Sequence, residues 1–176
     1  MNNEIIIKAL ASQYKASLEM LRTVLEKVPG EHWNDEEYNN PIWQIAYHTL
    51  WSAKFYLSAN PESYSPLKNA IEGAESLGGS NDWENPEEGV KVDGFHTKED
   101  LLYFIDEIEA NLLISIEDIP LEQDSGFEWY PFSRFELHIN TIRHIQHHTA
   151  QLIERLKAKD ITGFSWWIDQ NPPTEW

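Results

Sequence analysis

Cysteine is absent from the 176 residues of this chain. Disulfide bonds, thiolate nucleophiles and cysteine-based zinc sites are therefore excluded. Positive charge is also scarce: 13 lysines and arginines face 30 aspartates and glutamates, for a formal net charge of −17. This balance argues against nucleic acid and anionic membranes as partners, because both are negatively charged themselves. No apolar run approaches the ~18 residues of a membrane-spanning helix. The first residues also lack the pattern of a signal peptide, so the sequence predicts a cytoplasmic protein.

Apolar residues are nevertheless sufficient for a core, with 41% hydrophobic and 12% aromatic residues. At this length we expect a single domain over residues 1–176. Four segments repeat apolar residues at three- and four-residue spacing, the period of a helix with one buried face. They predict helices at about 3–28, 41–59, 98–117 and 134–159. No segment alternates polar and apolar residues over a length that would predict a sheet.

Capping signals support three of the four helix starts: an N-cap followed by proline at the second, and capping boxes at the third and fourth. The residues are Asn40-Pro41, Thr97 with Asp100, and Ser133 with Glu136. The pattern predicts an all-α fold, a four-helix bundle with a long crossover between its second and third helices.

The predicted crossover covers residues 60–97, and a short helix around Pro66–Leu77 would shorten it. It is acidic: residues 61–100 contain ten acidic and three basic side chains. A loop of this length inside a compact domain is usually functional or mobile. Residues 160–176 form an aromatic C-terminal tail.

Seven histidines are the most informative residues that are present. His144 and His148 lie four residues apart on the fourth predicted helix, so both imidazoles can reach one ion. His144 with His147, three residues apart, is an alternative pair, although His147 shares its flank with polar residues. A zinc-type site needs a third ligand from another helix, and His48 in the middle of the second predicted helix is the candidate. The other three are His32 and His96 in predicted loops, and His138 on the fourth helix.

Each part of this pattern also has a plain structural explanation. A lone histidine such as His48 is ordinarily a core-edge residue with one hydrogen bond, and surface helices carry histidine pairs by chance. The combination of a helical pair with a mid-helix histidine on another element favours a metal site. A di-iron carboxylate site is excluded, because no histidine here has a glutamate three residues before it.

Aromatic residues are concentrated near the candidate ligands. Trp43 and Trp51 flank His48. Tryptophans in these positions either fill the core and a dimer interface or form the wall of a substrate pocket. A proton donor or base cannot be singled out by spacing, and the candidates are Tyr47, Tyr103, Tyr130 and Glu136.

The residues around these histidines resemble the DinB/YfiT family. One histidine lies within Trp43-Gln-Ile-Ala-Tyr-His48-Thr-Leu-Trp51, and the closing helix contains His144-Ile-Gln-His-His148-Thr-Ala-Gln-Leu152. The second segment is similar to the family's H-x-x-H-H motif followed by Gln-Leu or Gln-Ile. The predicted layout of four helices with a long crossover extends the resemblance over nearly the whole chain. Thr149-Ala150 stands where the family frequently has Arg-Gly, which leaves the three histidines unchanged.

The resemblance implies that His48, His144 and His148 bind one divalent metal ion, most often zinc or nickel in such proteins. It implies a thiol S-transferase that acts on small electrophiles, with a low-molecular-weight thiol as co-substrate. A metal-dependent hydrolase and a non-catalytic metal-binding or dimerising module are the alternatives. It also implies a homodimer and a small-molecule substrate. Arg155, one turn beyond Gln151, is a candidate contact for an anionic thiol, or an ion-pair partner of Glu154 or Asp160.

Overall fold

The structure is a computed structural model, and it describes residues 3–35, 37–78 and 92–173. These residues form an all-helical structure, which confirms the predicted all-α class. Its helices are α1 (Asn3–Lys27), α2 (Gly30–Trp33), α3 (Ile42–Leu57), α4 (Lys98–Glu117) and α5 (Arg134–Lys157), with a 3₁₀ turn at Pro61–Ser63. Within the described residues the backbone forms one isolated β-bridge, between Asp124 and Ser133, and no strand. None of the helices in these ranges has the length and hydropathy needed to cross a bilayer.

The ends of the four long helices lie within two residues of the predicted ones. The short helix α2 is an addition that the apolar spacing does not predict. Pro41, rather than Asn40, is the N-cap of α3. The first helical hydrogen bond runs from Ile45 N–H to the Pro41 carbonyl oxygen at 3.2 Å, while Asn40 Nδ2 donates to the Leu77 carbonyl oxygen at 2.8 Å.

Side-chain caps hold the starts of the last two helices. At α4 the capping box is complete: Asp100 N donates to Thr97 Oγ1 at 3.1 Å, and Thr97 N donates to Asp100 Oδ2 at 2.9 Å. At α5 the Glu136 N–H donates to Ser133 Oγ at 3.2 Å. Such caps satisfy amide groups that have no partner within the helix, which places the helix start at a defined residue.

The core lies where α1 packs against α4 and α5, and where α3 packs against the same two helices. Apolar residues at helical spacing cover the facing sides, and burying each large one contributes about 1.5–3 kcal/mol. Those with no exposed surface include Leu18, Leu21, Ile45, Leu50, Leu101 and Leu152. Because α5 lies beside α3, polar side chains that project between these two helices can share one site.

The sequence allows a short helix around Pro66–Leu77 in the connection from α3 to α4. The structure has turns there instead. Backbone hydrogen bonds close the turns, such as Ala74 N–H to the Ile71 carbonyl oxygen at 3.1 Å. The buried side chains of Leu67 and Ala74 attach this segment to the core. Residues 79–91 of the predicted crossover and 174–176 of the predicted tail lie outside the described residues.

Candidate metal centre

His48 of α3 and His144 and His148 of α5 meet between the two helices, and one ring nitrogen from each lies within 4.8 Å of the others. His144 Nε2 is 3.1 Å from His48 Nε2 and 3.2 Å from His148 Nε2. Ligand nitrogens about 2.0–2.1 Å from a tetrahedral zinc ion are roughly 3.3 Å from one another. The three histidines are therefore spaced closely enough to bind one metal ion.

The outer nitrogens of two rings contact hydrogen-bond acceptors. His48 Nδ1 lies 2.6 Å from the Glu75 carbonyl oxygen, and His148 Nδ1 lies 3.0 Å from Gln151 Oε1. Because a carbonyl oxygen can only accept, each Nδ1 carries the proton and each Nε2 presents a lone pair. Acceptors of this kind orient histidine ligands in metal sites.

The inner nitrogens consequently form an electron-rich cluster. Of the three converging Nε2 atoms, only that of His144 can carry a proton, and one proton cannot satisfy both neighbouring lone pairs at once. His144 Nδ1 is buried and has no hydrogen-bond partner among the described residues. A cation among the three nitrogens would replace lone-pair repulsion with coordination, so the donor set fits a metal ion.

Burial favours the neutral form of these rings. Loss of solvation is the largest cause in each case, and it lowers the pKa of His144 to about 3 and that of His148 to about 4. Neighbouring imidazoles lower both values further, while the contact with Gln151 opposes the shift at His148. Burial also lowers the pKa of His48, against the opposing effect of its bond to Glu75. Neutral imidazole is the form that binds metal.

The other four histidines lie outside this cluster. His147, the alternative partner of His144, is exposed. His138 contacts α1 instead, with its Nδ1 3.1 Å from the buried Tyr14 hydroxyl. The remaining two are His96, which stacks on Tyr47, and His32, which lies in α2 rather than in a loop.

Sequence reasoning missed the residues that connect His48 to the crossover. Asn40, Gln44 and His48 recur at four-residue steps, and we call them the polar ridge. Each donates to a successive carbonyl of the crossover: Asn40 to Leu77, Gln44 to Ser76 at 3.0 Å, and His48 to Glu75. A signal was present in the sequence, since polar residues recur at four-residue steps from Asn40, just before α3, to Gln44 and His48 within it.

An open cleft of about 630 Å³ borders the cluster, and His48 and His144 are part of its lining. Trp51 and Tyr56 of α3 and Tyr130 of the α4–α5 loop line it with aromatic rings. Its polar lining comes mainly from α5 and includes Asn140, Thr141, Arg143, Gln146 and His147. A space of this volume accommodates a small organic molecule.

The structure also places the other residues that the sequence singles out. Of the four candidate proton donors or bases, Tyr130 lines the cleft, and Tyr47 is buried against His96. Tyr103 and Glu136 are exposed and are not part of its lining. Trp51 lines the cleft, whereas Trp43 is buried and donates to Asn34 Oδ1 at 2.8 Å. Arg155 donates to the Asn40 carbonyl oxygen at 2.7 Å and lies over the Tyr38 ring, instead of pairing with Glu154 or Asp160.

Comparison with known proteins identifies no relative: no family model, curated protein or solved structure matches this chain. The fold and the cluster together define the class, a helical protein with three convergent imidazoles that could hold a metal ion. A functional interpretation therefore depends on the geometry of the cluster and the cleft.

Proposed function

We propose that this chain is a metalloprotein of the DinB/YfiT type, a four-helix bundle with a long crossover in which His48, His144 and His148 hold one divalent metal ion. The convergence of three Nε2 atoms, two of them on rings whose Nδ1 atoms face acceptors, is the observation that carries the proposal. The pairwise packing of α1, α3, α4 and α5 is compatible with a bundle. Imidazole ligands suit zinc and nickel, the two metals we propose.

The proposed reaction is the transfer of a low-molecular-weight thiol to a small electrophile. A divalent metal, when bound, lowers the pKa of a thiol and so favours the nucleophilic thiolate. The thiol loses its proton to solvent, its sulfur forms a bond to the electrophilic carbon, and the leaving group departs with the bonding electron pair. The thiol must be a co-substrate, because the chain has no cysteine. Tyr130 is the candidate proton donor to the leaving group, since it is the proposed acid that lines the cleft.

Metal content tests the site. We expect about one zinc or nickel ion per chain when untagged protein is analysed by elemental mass spectrometry, as for a site of three imidazole ligands with one open position. His144→Ala and His148→Ala should lose the ion, and His48→Ala should bind it at least tenfold more weakly. His147→Ala is the matched control, because this exposed neighbour lies on the same helix. Full metal content in all four variants would exclude the proposed ligands.

Turnover then separates an enzyme from a binding module. The metal-loaded chain should consume thiol when it is supplied with a panel of small thiols and electrophiles, and His148→Ala should not. A metal-loaded chain without turnover on the whole panel would favour the non-catalytic module. The resemblance also leads us to propose a homodimer, for which light scattering should give about twice the chain mass of 20.6 kDa.

A further inference from the structure

The cleft beside the histidine cluster differs in charge from the rest of the chain. Although 30 acidic residues give the chain its net charge of −17, the cleft's lining, as far as the structure describes it, contains no aspartate or glutamate. Arg143, which directly precedes His144, belongs to that lining. A divalent ion at the cluster would add further positive charge. Arg143 together with such an ion would favour an anionic ligand within the cleft, although the chain as a whole is strongly negative.

Arg143 differs from the other three arginines in that its guanidinium has no hydrogen-bond or ion-pair partner among the described residues. Arg22 forms ion pairs with Asp106 at 2.7 Å and Glu109 at 3.1 Å. Arg134 is buried and donates to the Leu57 and Ser125 carbonyl oxygens, and Arg155 donates to that of Asn40. Arg143 is exposed, and within the described ranges no hydrogen bond or ion pair engages its guanidinium.

The aromatic part of the cleft is held in place by its own contacts. The Tyr56 hydroxyl accepts from Trp129 Nε1 at 3.2 Å, and the Tyr56 and Tyr130 rings are 5.2 Å apart. The Tyr130 carbonyl oxygen accepts from Ser125 Oγ at 2.7 Å. Such a surface can pack against the apolar carbons of a ligand while leaving its polar ends free.

We propose that Arg143 determines ligand specificity in this cleft by pairing with a carboxylate, so that the preferred ligand carries a metal-binding group and a carboxylate on one small molecule. A single guanidinium matches the one charge of a carboxylate and binds it through two parallel hydrogen bonds. A phosphate monoester would bring about two charges to a cleft with one arginine. This inference rests on the proposed function, since it needs a metal at the histidine cluster.

Thiols of different charge test the inference on the full chain loaded with Co²⁺. The probes are 3-mercaptopropionate, the neutral 3-mercaptopropanol and the cationic cysteamine, whose binding is measured by sulfur-to-cobalt charge-transfer absorption. We expect the carboxylate to improve affinity about tenfold over the neutral thiol, as for one charge-assisted pair. Arg143→Gln should abolish that preference and leave the affinity for the neutral thiol within about twofold.

Lys8→Gln is the matched control, because it removes the same charge from an exposed residue on α1 and should leave the preference intact. Equal affinity for the three thiols, or a preference that survives in Arg143→Gln, would overturn the inference while leaving the proposed function standing. A chain that binds Co²⁺ but none of the thiols would overturn the proposed function itself.

Discussion

At the scale of single residues, a histidine binds a metal when one ring nitrogen is unprotonated and correctly aimed. His48 and His148 meet both conditions through contacts at the opposite nitrogen. His138 lies on the same helix as two of the clustered histidines but has a different environment. Its ring is fully buried, and its Nδ1 faces the Tyr14 hydroxyl rather than another imidazole. This histidine therefore contributes to folding and not to the candidate site.

The environment of His138 makes stability depend on pH. Burial, followed by the nearby Arg134 charge, lowers its pKa from 6.5 to about 3. Between these values the unfolded chain binds a proton that the folded chain does not, so stability falls as pH decreases from about 6.5 towards 3. One such group contributes a slope of up to about 1.4 kcal/mol per pH unit.

His138→Gln should reduce that slope by up to about 1.4 kcal/mol per pH unit, the contribution of one proton. The slope is obtained from urea unfolding between pH 4 and pH 6 in the presence of EDTA. The other buried histidines contribute in the same direction and are unchanged in the variant. At pH 8, where the ring is neutral in both states, the comparison measures the cost of replacing the buried ring, including the loss of the Tyr14 contact. An unchanged slope would show that the unfolded and folded chains protonate His138 alike.

At the scale of secondary-structure elements, sequence patterns predict what is periodic and local. The long helices follow from apolar spacing, and the Thr97–Asp100 capping box from residues three apart. The placement of His144 and His148 one turn apart follows from helix geometry. The crossover is different, because Glu75 contacts His48 through a backbone carbonyl that any residue would supply. Sequence cannot specify such a partner, since its position depends on how the turns at 68–75 pack on α3.

Through the polar ridge, the crossover contacts the histidine cluster at His48. The substitution Gln44→Leu tests whether this contact matters for metal binding. Gln44→Leu keeps the volume of a buried side chain but removes the hydrogen bond to the Ser76 carbonyl oxygen. The adjacent Glu75 carbonyl should then orient His48 less well, and zinc affinity in a competition titration should fall about three- to tenfold, at or below the usual effect of residues that support metal ligands.

A glutamine-to-leucine substitution at an exposed position of α1 controls for the loss of a side-chain hydrogen bond to a backbone carbonyl. Gln13→Leu removes a similar bond, from Gln13 Nε2 to the Ile168 carbonyl oxygen at 3.0 Å, on a residue outside the cluster and its cleft. We expect it to leave zinc affinity unchanged. Equal zinc affinity for Gln44→Leu and the native chain would mean that the crossover does not position His48.

At the scale of the whole molecule, two kinds of cation binding must be distinguished. A surface with a net charge of −17 attracts any cation weakly and without a defined coordination geometry. The histidine cluster offers three nitrogens at fixed spacing and no carboxylate. Oxygen-seeking ions such as Mg²⁺ should therefore prefer the surface, whereas zinc should prefer the cluster.

Zinc at the cluster would join α3, α5 and, through Glu75, the crossover, so it should stabilise the folded chain. A ligand at 100 times its dissociation constant adds about 2.7 kcal/mol, which corresponds to roughly 5–10 °C in Tm for a chain of this size. Calorimetry should show this rise with zinc, its reversal by EDTA, and its absence in His148→Ala. Mg²⁺ at the same concentration should change Tm little. An equal rise with Mg²⁺, or with zinc in His148→Ala, would assign the stabilisation to the acidic surface and remove thermodynamic support for a metal shared between α3 and α5.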